Sequence, residues 1–307
     1  MHIYLPIAEL SANGFGLLLL GAVAGVFSGL FGIGGGFILT PILIMLDVPP
    51  AIAVATSANM IIASSFSAFL SHVKHKRVDI EIGNWLVAGG MIGVLVGVYI
   101  FAQLKRVGQI DLMIQLLYVF LLGTIGILTG REAYNLWKAQ KHKSETPALR
   151  YLIFPTWVGR LRWQRKFERS QVEHSVLVPM GIGLLSGMLV SLLGVGGGFI
   201  MVPAMLYILR MPPSVTVGTS LYQIIFITAA ATMLHALTTH SVDIVLAALL
   251  LVGSAIGAQW GVRLSHHLPH YAIRGLMAAL LLIMVISLAY GLFITPKDLY
   301  TLTVVRR

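Results

Sequence analysis

A chain of 307 residues that is 57% hydrophobic and only 10% charged is not a soluble globular protein, because such proteins carry about 25% charged residues. The net charge is +10, but ten of the 21 Lys and Arg residues fall within residues 131–174, so the positive charge is confined to one stretch rather than spread over a nucleic-acid-binding face. Cys is absent, which excludes disulfides and thiolate metal sites.

Several apolar runs reach the roughly 20 residues that cross a bilayer, so the expected class is an all-α polytopic membrane protein. Met1 to Gly14 carries no Lys or Arg, so the positive n-region of a cleaved signal peptide is not expected. The first apolar run, Phe15 to Phe31, contains Gly21, Gly25 and Gly29. That four-residue spacing lets helix backbones approach closely in lipid. Gly32-Ile-Gly-Gly-Gly-Phe37 then breaks the run, because glycine costs about 1 kcal/mol relative to alanine inside a helix. A short segment, Phe37 to Leu46, ends at Asp47-Val-Pro-Pro50, where proline disfavours helix at itself and at the residue before.

Ala51 to Leu70 is the next span and is rich in Thr56, Ser57, Asn59, Ser64, Ser65 and Ser67. Ile80 to Phe101 follows, with Gly89, Gly93 and Gly97 again four apart, and Leu112 to Leu128 closes the first half. Residues 131–174 read as a linker. Basic residues there alternate with Tyr134, Trp137, Tyr151, Phe154, Trp157, Trp163 and Phe167, a composition suited to an anionic membrane surface.

The second half repeats the first. Gly194-Val-Gly-Gly-Gly-Phe199 and Pro203 match Gly32 to Phe37 and Pro41, and Arg210-Met-Pro-Pro213 matches Asp47 to Pro50. Gly218-Thr-Ser220 matches Ala55-Thr-Ser57, His235 matches His72, and Gly253, Gly257 and Gly261 match Gly89, Gly93 and Gly97. The organisation read from this duplication is a first membrane repeat at 1–130, a basic linker at 131–174 and a second repeat at 175–307. Each repeat has three full spans plus a glycine-broken helix pair, about eight to ten membrane segments in all. Three spans plus an even contribution from the broken pair is odd, so two inverted repeats are expected. With the linker in the cytoplasm, sixteen Lys and Arg residues lie inside and five outside, the direction of the positive-inside rule. Both termini are then non-cytoplasmic and the host is the cytoplasmic (inner) membrane.

Glycines expose backbone N–H groups, and the helix that begins after each break adds partial positive charge. Gly34, Gly35 and Gly36 with Gly196, Gly197 and Gly198 can therefore bind an anion without a buried Lys or Arg, and paired breaks at matching positions are where transporters place substrate. Tight packing alone is the plainer use of such glycines. Thr56, Ser57 and Asn59 with Thr219, Ser220 and Gln223 can donate hydrogen bonds to an oxyanion, or can simply join helices. His72 and His235 stand at symmetric positions and are candidates for a coupled proton, with an interfacial location as the plainer reading. Asp79, Glu81 and Asp243 fall near span ends and read as interfacial. Gly32-x-Gly34 lacks the soluble βαβ context of a dinucleotide fingerprint, and no Gly-Lys-Ser/Thr follows for a phosphate loop. No catalytic constellation is present, so no enzyme, cofactor or metal is expected. The partners expected are a small anion and the lipid bilayer, with proton coupling open and no nucleic acid.

Gly29-x-x-Gly32-x-Gly-Gly-Gly-x-x-x-x-Pro41 and Ser191-x-x-Gly194-x-Gly-Gly-Gly-x-x-x-x-Pro203 resemble the signature of the sulfite exporter TauE/SafE family of anion permeases. The resemblance runs from about Gly14 to Tyr290. Ala55 departs from the glycine expected before Thr56, and Ser191 stands where the first copy has Gly29. The resemblance implies transport of small sulfur-containing anions, such as sulfite, thiosulfate, sulfonates or sulfoacetate. An anion channel, or a receptor or scaffold acting through the linker, remains the alternative.

Overall fold

The computed structural model describes residues 2–7, 10–31, 34–141, 164–167, 169–170, 172–239, 241–265 and 267–293. A hairpin of β1 (His2–Leu5) and β2 (Leu10–Asn13) leads into α1 (Gly14–Phe31), α2 (Gly36–Met45), α3 (Pro50–Lys74), α4 (Ile80–Val107) and α5 (Ile110–Lys141). A second hairpin, β3 (Gln164–Phe167) and β4 (Val172–Ser175), leads into α6 (Leu177–Leu193), α7 (Gly198–Tyr207), α8 (Pro213–Thr238), α9 (Ile244–Ser265) and α10 (His270–Phe293). Seven of these helices are long and apolar enough to cross a membrane, and α2, α6 and α7 are shorter. The chain is thus a helical polytopic membrane protein. Its two halves carry the same elements in the same order.

The four-residue glycine spacing works as a seam. Gly21, Gly25 and Gly29 of α1 abut the backbone at Leu250, Ser254 and Ala258 of α9, and Gly253, Gly257 and Gly261 answer from the α9 side. Gly89, Gly93 and Gly97 of α4 meet Met180, Leu184 and Met188 of α6, with Gly183 and Gly187 answering. In both seams residue numbers rise together, so the paired helices run parallel. Each seam joins a helix of one half to a helix of the other, and a side chain at these glycines would strike main chain, with the Ser191 hydroxyl also in the way at Gly97. The halves therefore interlock.

The N-terminal hairpin is not visible in the sequence pattern, and its partner lies inside the stretch read as linker. Leu5 and Phe167 hold equivalent places in the two hairpins, and both are buried. Phe167 packs with Ile82, Leu86, Met201 and Met205, so this aromatic is a core residue and not a membrane-surface one. The start of the linker also differs from expectation, because α5 continues through it to Lys141. The run Arg131–Lys141 contains no Gly or Pro to stop a helix, and Glu132 is tied there to Arg274 of α10 and to Tyr207 of α7. Tyr151, Phe154, Trp157 and Trp163 lie outside the described residues.

Each hairpin reaches across to the other half. The Ile7 N–H donates to Asp243 Oδ2 at 3.0 Å, and the Ser170 hydroxyl donates to Asp79 Oδ2. Asp79 and Asp243 were expected at the interface. Both are instead buried, because each also caps a helix start. Asp79 Oδ1 accepts from the Ile82 N–H, and Asp243 Oδ1 accepts from the Val245 and Leu246 N–H groups, which satisfies donors that the first turn leaves open.

Candidate functional site

The helices after the breaks begin at Gly36 and Gly198, one residue earlier than the Phe positions expected. At the first, the Ile38 and Leu39 N–H groups turn back to the Gly35 carbonyl at 3.2 and 3.1 Å. At the second, Ile200 and Met201 turn back to the Gly197 carbonyl at 3.2 and 3.0 Å. The N–H groups of Gly36 and Phe37, and of Gly198 and Phe199, therefore have no partner within their own helices, and neither helix has a side-chain cap. Gly34, Gly196 and Gly197 have φ of 79°, 79° and 68°, a left-handed backbone that costs other residues about 1–2 kcal/mol.

The two breaks meet. A Cβ on Gly34 would lie 4.0 Å from Gly196 Cα, and one on Gly36 would run into the Gly194 carbonyl. Four helix-start N–H groups thus belong to two breaks in direct contact. The Ile61 side chain of α3 nests in this junction. Its Cγ2 is 3.1 Å from the Cβ position of both Gly34 and Gly196, and its Cδ1 abuts that of Gly36. Ile224 of α8, at the matching place, lies 3.7 Å from the Gly196 position. Packing and anion binding are therefore not exclusive uses of these glycines, since three of them accommodate Ile61 in the conformation observed.

Helix ends also carry negative charge, and the last carbonyls of α6 would oppose an anion beside them. Three of the last four are covered. Val190 O accepts from the Gly194 N–H at 2.7 Å, Ser191 O from His235 Nε2 at 2.9 Å, and Leu193 O from the Tyr118 hydroxyl. His235 is fully buried, its Nδ1 lies 3.4 Å from Thr239 Oγ1, and Phe101 packs edge-on against it. His235 thus sits inside the bundle and not at an interface, whereas His72 is only half-buried at the end of α3. Tyr118 had no sequence signal, since nothing marks a tyrosine in an apolar run as a cap.

The polar residues divide. Thr56 and Thr219 tie the halves together: Thr56 Oγ1 accepts from the Asp243 N–H at 3.2 Å, and Thr219 Oγ1 accepts from the Asp79 N–H at 2.9 Å while donating to Val215 O at 2.8 Å. Ser57 donates to Ala53 O and lies 2.6 Å from the Thr40 hydroxyl, and Ser220 donates to Val217 O at 2.8 Å. Gln223 Nε2 donates to Ser186 Oγ at 2.7 Å, and Ser186 donates to Gly183 O. Asn59 is half-buried. The hydroxyls expected to point at a ligand are thus mostly engaged with backbone. Two buried polar atoms beside the breaks have no hydrogen-bond partner, Gln223 Oε1 and Ser65 Oγ. Among the described residues no cluster of three His, Cys, Asp or Glu side chains could hold a metal.

The chain is similar to known membrane transporter proteins. The chain is 27% identical over 286 residues to a probable membrane transporter protein of Bacillus subtilis, YunE, covering 90% of this chain and 98% of the relative. A second Bacillus subtilis protein, the probable membrane transporter YjnA, is 28% identical over 273 residues, 87% of this chain and 96% of the relative. Sulfite exporter TauE/SafE family protein 3 of Arabidopsis thaliana is 31% identical over 130 residues, 40% of this chain and 26% of that protein. No solved structure matches. The family described as sulfite exporter TauE/SafE matches residues 17–288, a span that takes in both glycine breaks and reaches into every long helix, and the chain belongs to this family of membrane transporters.

Proposed function

We propose that the protein is a secondary transporter that moves a small sulfur-containing anion, of the sulfite, thiosulfate, sulfonate or sulfoacetate type, by alternating access across the cytoplasmic membrane. One observation carries the reading: two glycine breaks in contact, each starting a helix whose first N–H groups have no intrahelical partner, beside an α6 end with three of its last four carbonyls capped. Gly34, Gly35 and Gly36 with Gly196, Gly197 and Gly198 form the anion cradle, with Gln223 at its edge. Thr56 and Thr219 act here as ties between the halves that release and re-form as access alternates, while Ser57 and Ser220 stay bonded within their own halves.

Inversion of the halves is part of the proposal. α1 runs parallel to α9 and α6 parallel to α4, while contacts from Thr56–Asp243 to Ser67–Ala255 place α3 along α9 in the same sense. Four residues between α3 and α4, Lys76 to Asp79 with His75 at the helix cap, give room for a reversal. That sets α4, and with it α6, against α1. The linker is assigned to the cytoplasm and both termini to the far side. A fluorescent reporter that folds only in the cytoplasm, fused after Arg307, is expected to stay dark.

The test is radiolabelled sulfite uptake by purified protein in liposomes. Accumulation above the external concentration under an imposed ion gradient is expected, and uptake that only equilibrates supports the channel instead. Gly35→Leu and Gly197→Leu in folded protein are expected to abolish sulfite binding. Unchanged binding removes the glycines from the site.

A further inference from the structure

Serines inside helices of this protein generally spend their proton on a carbonyl one turn back. Ser64 donates to Ile61 O, Ser186 to Gly183 O, Ser220 to Val217 O and Ser265 to Val262 O, the ordinary solution for a hydroxyl with no water nearby. Ser65 does not. Its side chain is fully buried, its Oγ has no partner, and that oxygen lies 3.8 Å from the Cβ position of Gly34. The matching residue in the other half, Thr228, donates to Ile224 O at 2.6 Å. An open hydroxyl therefore faces the junction from the α3 side, while its counterpart on α8 is spent.

Ile61 lies one turn before Ser65 on the same face of α3 and fills the junction between Gly34, Gly36 and Gly196. A ligand reaching the helix-start N–H groups displaces that apolar side chain and arrives beside Ser65. We propose that Ser65 is the side-chain hydrogen-bond donor of the anion site, and that the ligand it selects is a small anion with terminal oxygen acceptors. This rests on the anion reading above. A hydroxyl donating to a charged acceptor in a dry site adds to the backbone N–H groups, and leaving it unpaired is costly enough that buried examples call for an explanation. The ligand supplies it.

The experiment is sulfite uptake by reconstituted full-length protein, with KM, maximal rate and thermal midpoint measured for wild type, Ser65→Ala, Ser65→Thr and Thr228→Val. Ser65→Ala is expected to raise the KM for sulfite about tenfold, the scale of a hydrogen bond to a charged group, without lowering the thermal midpoint, because the lost hydroxyl had no protein partner. Ser65→Thr retains a hydroxyl and is expected to restore KM to within about threefold of wild type. Thr228→Val is expected to leave KM within about twofold. A lowered midpoint with unchanged KM in Ser65→Ala makes Ser65 a packing residue and overturns its role while leaving the cradle intact. Wild-type protein that takes up none of sulfite, thiosulfate and methanesulfonate overturns the anion reading and the role of Ser65 together.

Discussion

The two glycine breaks have one spacing and two environments. The second is the more heavily supported. Gly194, Gly196 and Gly197 all have positive φ, and its incoming helix end is capped by Tyr118 and His235. Beside it the Gln223–Ser186 pair is hydrogen-bonded. At the first break, Gly35 has an ordinary φ of −74°, and the places of Gln223 and Ser186 are taken by Met60 and Ala24. On its α3 side the open polar group is Ser65, and Ser28 near the end of α1 is also without a hydrogen-bond partner. Duplication thus supplies the shape of the site, and divergence separates a stiff, capped tip from an apolar one with a free hydroxyl. A symmetric ligand is not needed to explain a symmetric fold.

The largest effects are expected where backbone meets backbone. Gly93→Leu would drive a side chain into the Leu184 carbonyl, and Gly257→Leu into that of Ala22. Neither neighbour is a flexible side chain, so each is expected to cost more than about 3 kcal/mol and to abolish a monodisperse peak on size-exclusion chromatography. Gly181→Leu and Gly291→Leu, with open space around the glycine, are the matched controls and are expected to run as wild type. Equal behaviour of the two sets would undo the seam.

Within the breaks, the comparison predicts an order opposite to the one φ alone suggests. A methyl on Gly35 meets the Ala24 carbonyl at 2.5 Å, whereas one on Gly197 has 3.2 Å to Ser186 Cβ and pays mainly for its left-handed φ. Gly35→Ala is expected to cost about 3 kcal/mol and Gly197→Ala about 1 kcal/mol, read as the drop in thermal midpoint. Between them falls His235→Ala, which strands the buried Ser191 carbonyl at about 2 kcal/mol. His72→Ala, at the half-buried position, is expected to change the midpoint little. If His235 is a support and not a proton carrier, His235→Gln lowers the midpoint but leaves the pH profile of sulfite uptake in place.

The sequence makes the seams legible because glycine at every fourth place has few other uses in an apolar helix, and the breaks legible because five residues recur after 162 positions. It leaves the partners of the seams open. Nothing in Gly21, Gly25 and Gly29 says that α9 and not α4 will face them. The hairpins are also hidden, because a four-residue strand is too short to carry a periodicity that can be read. Asp79 and Asp243 looked interfacial since they flank spans, yet burial follows from two sets of donors converging on each carboxylate. Thr56 and Thr219 show the remaining limit. A hydroxyl beside a binding site and one joining two helices look alike until the neighbour is known.

That last ambiguity sets the most discriminating prediction. Thr56→Val and Thr219→Val each remove a hydroxyl that accepts from a buried backbone N–H of the other half. Each is expected to cost about 1 kcal/mol, a modest fall in thermal midpoint, while the KM for sulfite holds within about twofold. Thr219→Val is expected to be the costlier of the two, because its bond to Asp79 is 2.9 Å against 3.2 Å for Thr56 and Asp243, and its hydroxyl also donates to Val215 O. A rise in KM with no change in midpoint would reverse the assignment and place these hydroxyls on the ligand. The pair of Thr variants and Ser65→Ala are thus read on the same two axes, with opposite signatures for a tie and for a ligand contact.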